Sequence, residues 1–188
     1  MRSNGCGSVV KKTWRDAQAA RYKQQRKRYL KVWAKRRLAG DTLVYLDETG
    51  FELSSQRDYG RALKGHKVYG ARSGHKRPRT GLLGALIAGC LAAPMLFEGT
   101  CNTQTFNTWL ATFLALRLHR GMTLIMDNAT FHRSAKTQQI IAAAGCHLLF
   151  LPPYSPELNP IEKTWANLKR QRKYRAHLSL DQLVASVA

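Results

Sequence analysis

Three acidic residues have the surroundings that metal-assisted phosphate chemistry needs: Asp47 in VYLDETGF, Asp127 in LIMDNATFH and Glu162 in LPPYSPELNPIEKTW. Asp47 and Asp127 each follow an apolar, strand-like run. Glu162 follows a proline-rich loop and opens a helical pattern. Ligand sites in open α/β sheets lie beyond the carboxyl ends of the strands, so two neighbouring strands would carry both aspartates to one edge. Carboxylates gathered there repel one another unless a cation offsets them. Mg²⁺ is the hard, oxygen-seeking ion that accepts a few carboxylates, water and phosphate oxygens, and Mn²⁺ is its natural substitute. Two such ions, roughly 3.5–4 Å apart, clamp the attacking and leaving oxygens of a phosphodiester. Each acid also has a plainer reading. Asp47 and its neighbour Glu48 suit a turn, and Asp127-Asn128 suits an Asx-turn. With Asn159 as N-cap and Pro160 at N1, Glu162 falls on the glutamate position of a capping box.

The elements that must position these acids are legible from periodicity. Residues 11–39 lack Pro and Gly and are rich in helix formers, predicting one long basic helix or two shorter ones ending at Gly40. Trp14, Tyr22, Tyr29 and Trp33 form a loose stripe on it, suited to docking on the rest of the chain. Thr42–Leu46 reads as a buried strand ending at Asp47, and residues 54–80 as short strands and turns around Gly60, Gly65, Gly70 and Gly74. Strands are expected at 80–87 and 94–97, where Gly81, Gly84, Gly89 and Pro94 argue against a helix. Thr103 is a candidate cap for an amphipathic helix carrying Phe106, Trp109, Leu110, Phe113, Leu114 and Leu118. A strand at 122–126, a helix at 134–144 between Ser134 and Gly145, and a strand at 147–151 follow. A helix near Pro160 with Ile161, Trp165 and Leu168 on one side, and a short one at 180–187, close the chain. Strands first, then helices alternating with strands, describe an α/β fold with a mixed sheet flanked by helices.

Charge names the substrate class. The chain has 188 residues, 31 Lys plus Arg against 11 Asp plus Glu, and a net charge of +20. Residues 1–40 hold 13 of those cations and a single acid, Asp16. This divides the chain into a basic helical arm (1–40) and a body (41–188). So much positive charge calls for a polyanion, and nucleic acid is the usual one. Candidate contacts are Arg57, Arg61, Lys64, Lys67, Arg72, Lys76, Arg77 and Arg79 in the glycine-rich stretch, with Lys169 and Arg170 on the last long helix. Hydrophobic residues make up 44% of the chain, which excludes a disordered basic tail. No apolar run nears the roughly 18 residues of a membrane span, and MRSNGCGSVVKK lacks the core of a signal peptide, so a cytoplasmic protein is expected. Cys6, Cys90, Cys101 and Cys146 form no C-x-x-C pair, which predicts reduced, mostly buried thiols.

The motifs LDETGF, YGRALKG, MDNATFH and LPPYSPELNPIEKTWANLK, in this order, resemble the bacterial insertion-sequence (IS-six-thirty) group of the Tc/mariner superfamily of DDE transposases. The resemblance runs from about residue 42 to 175, and 34 residues separate Asp127 from Glu162, the spacing this superfamily uses. SPELNPIE is highly specific, whereas LDETGF alone is weak. The resemblance implies a ribonuclease-H-like fold with Asp47, Asp127 and Glu162 as the catalytic, Mg²⁺-binding triad. It implies cleavage at transposon ends, then attack of the freed 3′-hydroxyl on target DNA, typically at TA. Asn128 and His132 would orient Asp127 or meet the scissile phosphate, and Pro152, Pro153 and Pro156 would shape the loop that delivers Glu162. A homodimer that pairs two ends, in the bacterial nucleoid, is the expected setting. Family members carry helix-turn-helix modules ahead of the catalytic domain. Residues 1–40 have no paired-helix pattern and resemble the linker that follows such modules, so a truncated start is expected. A non-catalytic DNA-binding fragment and a nuclease or resolvase of the same fold are the competing readings.

Overall fold

A computed structural model describes residues 14–52, 67, 79–175 and 177–187. Helix α1 (Trp14–Leu38) is one continuous rod of 25 residues, followed by Gly40 at φ 84°. Among the described residues five strands form one sheet in the order β3-β2-β1-β4-β5: β1 (Leu43–Glu52), β2 (Arg79–Ile87), β3 (Cys90–Glu98), β4 (Thr123–Met126) and β5 (His147–Phe150). The first three pair antiparallel and β1-β4-β5 pair parallel, so the sheet is mixed, as expected.

β1 is longer than its apolar run suggested. Asp47 lies in its middle rather than at its end, because the antiparallel ladder with β2 continues from Val44↔Ile87 to Glu52↔Arg79. On its other side, pairing with β4 stops at Tyr45↔Ile125. Carried two residues further, that same register sets Asp47 level with Asp127. The two acids therefore lie just past the point where the parallel pair ends. The β2–β3 hairpin closes through Ala88 and Gly89, both at positive φ, the backbone of the tight two-residue turns that match strand twist. β3 begins at Cys90, four residues ahead of the expected strand, since the two-residue turn starts its ladder at once.

Alternation along the strands divides the core between two faces. Val44, Leu46, Leu83, Leu124 and Met126 pack against Phe106, Trp109, Leu110, Leu114 and Ile141. On the opposite face Phe51, Leu82 and Leu86 meet Ile161, Trp165 and Leu168 of α4 (Ile161–Tyr174) and Leu183 and Val184 of α5 (Leu180–Ala185). There too Tyr29 of α1 is buried against Ile125 and Leu151. The expected amphipathic helix is three pieces: α2 (Thr103–Trp109), a wide π turn at Leu110–Leu114 and a 3₁₀ turn at Ala115–Arg117. Its cap is Asn102, whose side chain accepts from the Thr105 amide, not Thr103. The wide turn keeps Leu110 and Leu114 inward and leaves Phe113 exposed. α3 (Ala135–Ala143) starts at Ser134 as expected, with Gly145 at φ 66° beyond it. Of the described thiols only Cys146 is buried. Cys90 is exposed where the hairpin turns, which departs from the expectation of mostly buried cysteines. Among the described residues no helix is long and apolar enough to cross a membrane.

Candidate active site

Each of the three acids reaches its place through a different device. Asp47 is held by α4: the buried Trp165 donates its indole N–H to Asp47 Oδ2 at 3.1 Å. That indole has room to pack because Gly84, the cross-strand partner of Asp47, has no side chain beneath it. Asp127 leaves the end of β4 in the expected Asx-turn, its Oδ1 accepting from the Ala129 amide at 3.1 Å. Glu162 sits exposed in the first turn of α4, after Pro152-Pro153 and a 3₁₀ turn at Pro156–Leu158. The capping box expected around Glu162 is absent. The helix starts one residue late, with Pro160 at its cap position, and among the described residues no side chain caps it. Among the described residues Asn159 Oδ1 is buried without a hydrogen-bond partner. The Glu162 carboxylate is thus not engaged in capping, and the positive end of the α4 dipole favours its charge.

All three carboxylates line one cleft of about 520 Å³, walled by Tyr22, Asn128 and the loop from Leu151 to Asn159. Among the described residues no Lys or Arg lines it. The consequences fall mainly on Asp47: burial first, then the nearby charges of Glu162 and Glu48, push its carboxyl up to about 8. Burial would also raise Asp127, but hydrogen bonds from His132 and the Ala129 amide outweigh it and hold that carboxyl below its ordinary value. Two carboxyls two residues past the same ladder are therefore split in opposite directions by their neighbours.

His132 is the partner that does this. Its ring is 1% exposed, set between Phe106 and Phe131 with centroids 4.3 and 4.2 Å away. Its Nδ1 faces Asp127 Oδ1 at 2.7 Å and the Asp127 carbonyl at 3.3 Å, so the nitrogen between two oxygens carries the proton and donates. Its Nε2 points at Glu48 Oε2, 3.9 Å away, and neither atom has a hydrogen-bond partner among the described residues. Glu48, next to Asp47, faces the other side of β1. Burial raises its carboxyl, Asp127 adds to that, and His132 and Arg79 oppose it. The buried His132 thus stands between the half-exposed Asp127, which it bonds, and Glu48, which it faces at 3.9 Å. Sequence reasoning left Glu48 as a turn residue; strand alternation after Asp47, once β1 is known to continue, is the signal that finds it. Asn128 lines the cleft but its Oδ1 accepts from Arg133 Nε at 2.6 Å, away from Asp127.

The donors are chemically those of a hard divalent cation: oxygen ligands, excess negative charge and, among the described residues, no Lys or Arg along the cleft. Among the described residues no three His, Cys, Asp or Glu groups close around a single point. That suits Mg²⁺, which is commonly held by one or two carboxylates and completes its shell with water and phosphate oxygens. Asp47, Asp127 and Glu162 are the groups that would hold it.

Of the expected basic contacts, Lys67, Arg79, Lys169 and Arg170 are exposed. Arg57, Arg61, Lys64, Arg72, Lys76 and Arg77 lie outside the described residues, as do the short strands and turns expected there.

The fold is matched by solved structures. A Mos1 transposase paired-end complex with left transposon end superposes with TM-score 0.66 at 15% identity, covering 100% of this chain and 62% of that one. A Mos1 mariner paired end complex with Mn gives 0.67 at 18% identity, covering 91% and 53%. The Mos1 Strand Transfer Complex gives 0.65 at 16%, covering 89% and 57%. At such identities the likeness is one of fold, and it gives this chain the α/β, ribonuclease-H-like architecture expected from its motifs. The chain spans about three fifths or less of the length of those structures. No curated protein sequence matches it. A family model for the DDE superfamily endonuclease covers residues 42–184, the stretch that holds the sheet and all three acids. On that match, the chain belongs to the DDE superfamily endonuclease family.

Proposed function

We propose that the chain is the catalytic part of a transposase of the IS-six-thirty group, cutting DNA phosphodiester bonds at transposon ends and joining the freed ends to target DNA. The observation that carries this reading is the convergence of Asp47, Asp127 and Glu162, far apart in sequence, on one cleft. The partner is DNA, gathered by a chain of net charge +20, and pairing of two ends is best served by a homodimer. The setting is the bacterial nucleoid.

Bound divalent cations, Mg²⁺ or Mn²⁺, supply Lewis-acid stabilisation of the attacking and leaving oxygens. The chain's own residues do the rest. Trp165 fixes the Asp47 carboxylate through its indole N–H, and His132 fixes that of Asp127 through Nδ1–H. Glu48 stands behind His132, 3.9 Å from its Nε2. Glu162, free of the helix cap, is available to a metal ion. The Pro-rich loop sets the height at which α4 delivers it.

Glu162→Gln tests the assignment, because it removes the ligand charge and disturbs no capping bond. We expect a melting temperature within about 1 °C of wild type, as for surface changes generally, and loss of Mg²⁺-dependent nicking of supercoiled plasmid. Nicking at the wild-type rate would remove Glu162 from the chemistry. DNA binding without nicking by the wild-type chain would favour the DNA-binding fragment, and cutting without joining would favour the nuclease or resolvase.

A further inference from the structure

One residue of the cleft is built against the grain of the fold. Tyr154 sits at the rim of the acid cleft with φ 52°, the left-handed region that a bulky side chain rarely adopts. Its neighbours are anchored: Pro152 and Ser155 are buried, and Ser155 Oγ donates to the Pro153 carbonyl at 3.2 Å. The loop thus holds Tyr154 outward, and the residue is 85% exposed. Burial does not explain an aromatic in a backbone conformation where glycine is at ease. Its ring meets Tyr22 of α1 edge to face, with centroids 5.4 Å apart and planes at 65°. Tyr22 also lines the cleft, and beside this pair Arg26 of α1 holds Glu157 of the same loop. The result is a braced aromatic platform standing over three carboxylates.

We infer that Tyr154 is a stacking residue for an unpaired base of the strand whose phosphate enters the acid cleft. This rests on the reading of the cleft as a DNA-cutting site. Aromatic faces hold splayed nucleotides without regard to sequence, since every base has a π-face. A paired base inside a duplex does not present that face, so the platform selects frayed or opened ends. Tyr154 acts here on positioning and selectivity rather than on the reacting atoms.

The test is binding of the full chain in EDTA to a forked DNA carrying 2-aminopurine at its first unpaired base, and to the closed duplex of the same sequence. Wild type should bind the fork more tightly and quench the fluorophore. Y154A should lose roughly tenfold in fork affinity, lose the quench, and bind the duplex within about twofold of wild type, while Y154W keeps both fork signals. Y154G, at home at this φ, should melt no lower than wild type and still show the Y154A loss, which separates stacking from folding. Fork affinity unchanged in Y154A and Y154G, or fork and duplex weakened alike, would overturn the inference. Because binding is read without metal, the outcome is independent of whether Glu162→Gln abolishes nicking.

Discussion

Asp47 carries a cost that the fold accepts on behalf of the site. Its carboxyl is pushed up to about 8 in the folded chain, against an ordinary 3.8 when unfolded, by burial and by Glu162 and Glu48. Below about pH 4 the residue is neutral in both states and the fold suffers nothing. Between about pH 4 and 8 the unfolded chain gives up the proton while the folded chain keeps it, so stability falls as pH rises, and the loss levels off above about pH 8. Asp47→Asn keeps an oxygen for the Trp165 N–H and cannot ionise. In EDTA, thermal melts from pH 5 to 8.5 should therefore show wild type losing ground steadily to the variant. Added Mg²⁺ should raise the wild-type Tm at pH 8 and leave the variant nearly unmoved, by binding linkage. Parallel melting curves with and without the ion would mean that Asp47 is not strained by its neighbours. Asp127 escapes this cost because His132 and the Ala129 amide satisfy its charge from within the protein. An acid eased by a cation and one eased by its own scaffold are a division of labour suited to holding ions that must also meet a substrate.

The elements show why the acids are where they are, and Gly84 in β2 is the point on which that depends. A Cβ there would lie 2.9 Å from Trp165 Cη2 and 2.9 Å from a methyl of Leu91. The methyl can swing away, but the indole is buried and tied to Asp47. Gly84→Ala should cost about 1–3 kcal/mol as an overpacked core does, lowering Tm by about 2–12 °C. It should also slow nicking more than the lost stability explains, since the indole must give way and Asp47 moves with it. Calorimetry and plasmid nicking measured together check this; an unchanged Tm would show that α4 adjusts freely. Much of this architecture is legible in the residues. The Val44–Leu46 and Leu124–Met126 runs betray buried strands, Ser134 and Gly145 bracket α3, and Ile161, Trp165 and Leu168 mark the inward side of α4. What escaped has local causes. The apolar run of β1 stops at Asp47, yet its hydrogen-bonded ladder continues five residues further because β2 supplies the partner. That error hid Glu48, whose side is fixed only by the longer strand. The π turn after Trp109 also has no signature in a hydrophobic period tuned to 3.6. Nor does periodicity tell a capping glutamate from a free one; only the backbone at Asn159 and Pro160 decides it.

At the scale of the molecule the question is how a chain of +20 presents its charge, and α1 is where the answer is concentrated. One stripe of the helix faces the body: Tyr22 meets Tyr154, Arg26 pairs with Glu157, Tyr29 is buried, and Trp33 donates to Tyr45 Oη at 3.0 Å. These residues follow one another at helical spacing, so the cations between them are turned outward. Lys23, Lys27 and Lys31 are exposed one turn apart along such a line. The helix that lines the acid cleft with Tyr22 thus offers a row of ammonium groups on another face. Removing the arm altogether would strip Tyr29 and Trp33 from the body and confuse binding with folding. The triple change Lys23→Gln, Lys27→Gln and Lys31→Gln leaves the docked stripe intact. If each lysine meets a phosphate, the slope of log K against log salt should flatten by about 2.7, at about 0.9 per contact on duplex DNA, with Tm held near wild type. Equilibrium binding of a 30-base-pair duplex across a salt series reads this directly. An unchanged slope would assign the charge of α1 to something other than DNA and leave capture of the substrate to the basic residues of the body. A slope lost together with Tm would show instead that these lysines hold the helix rather than the nucleic acid.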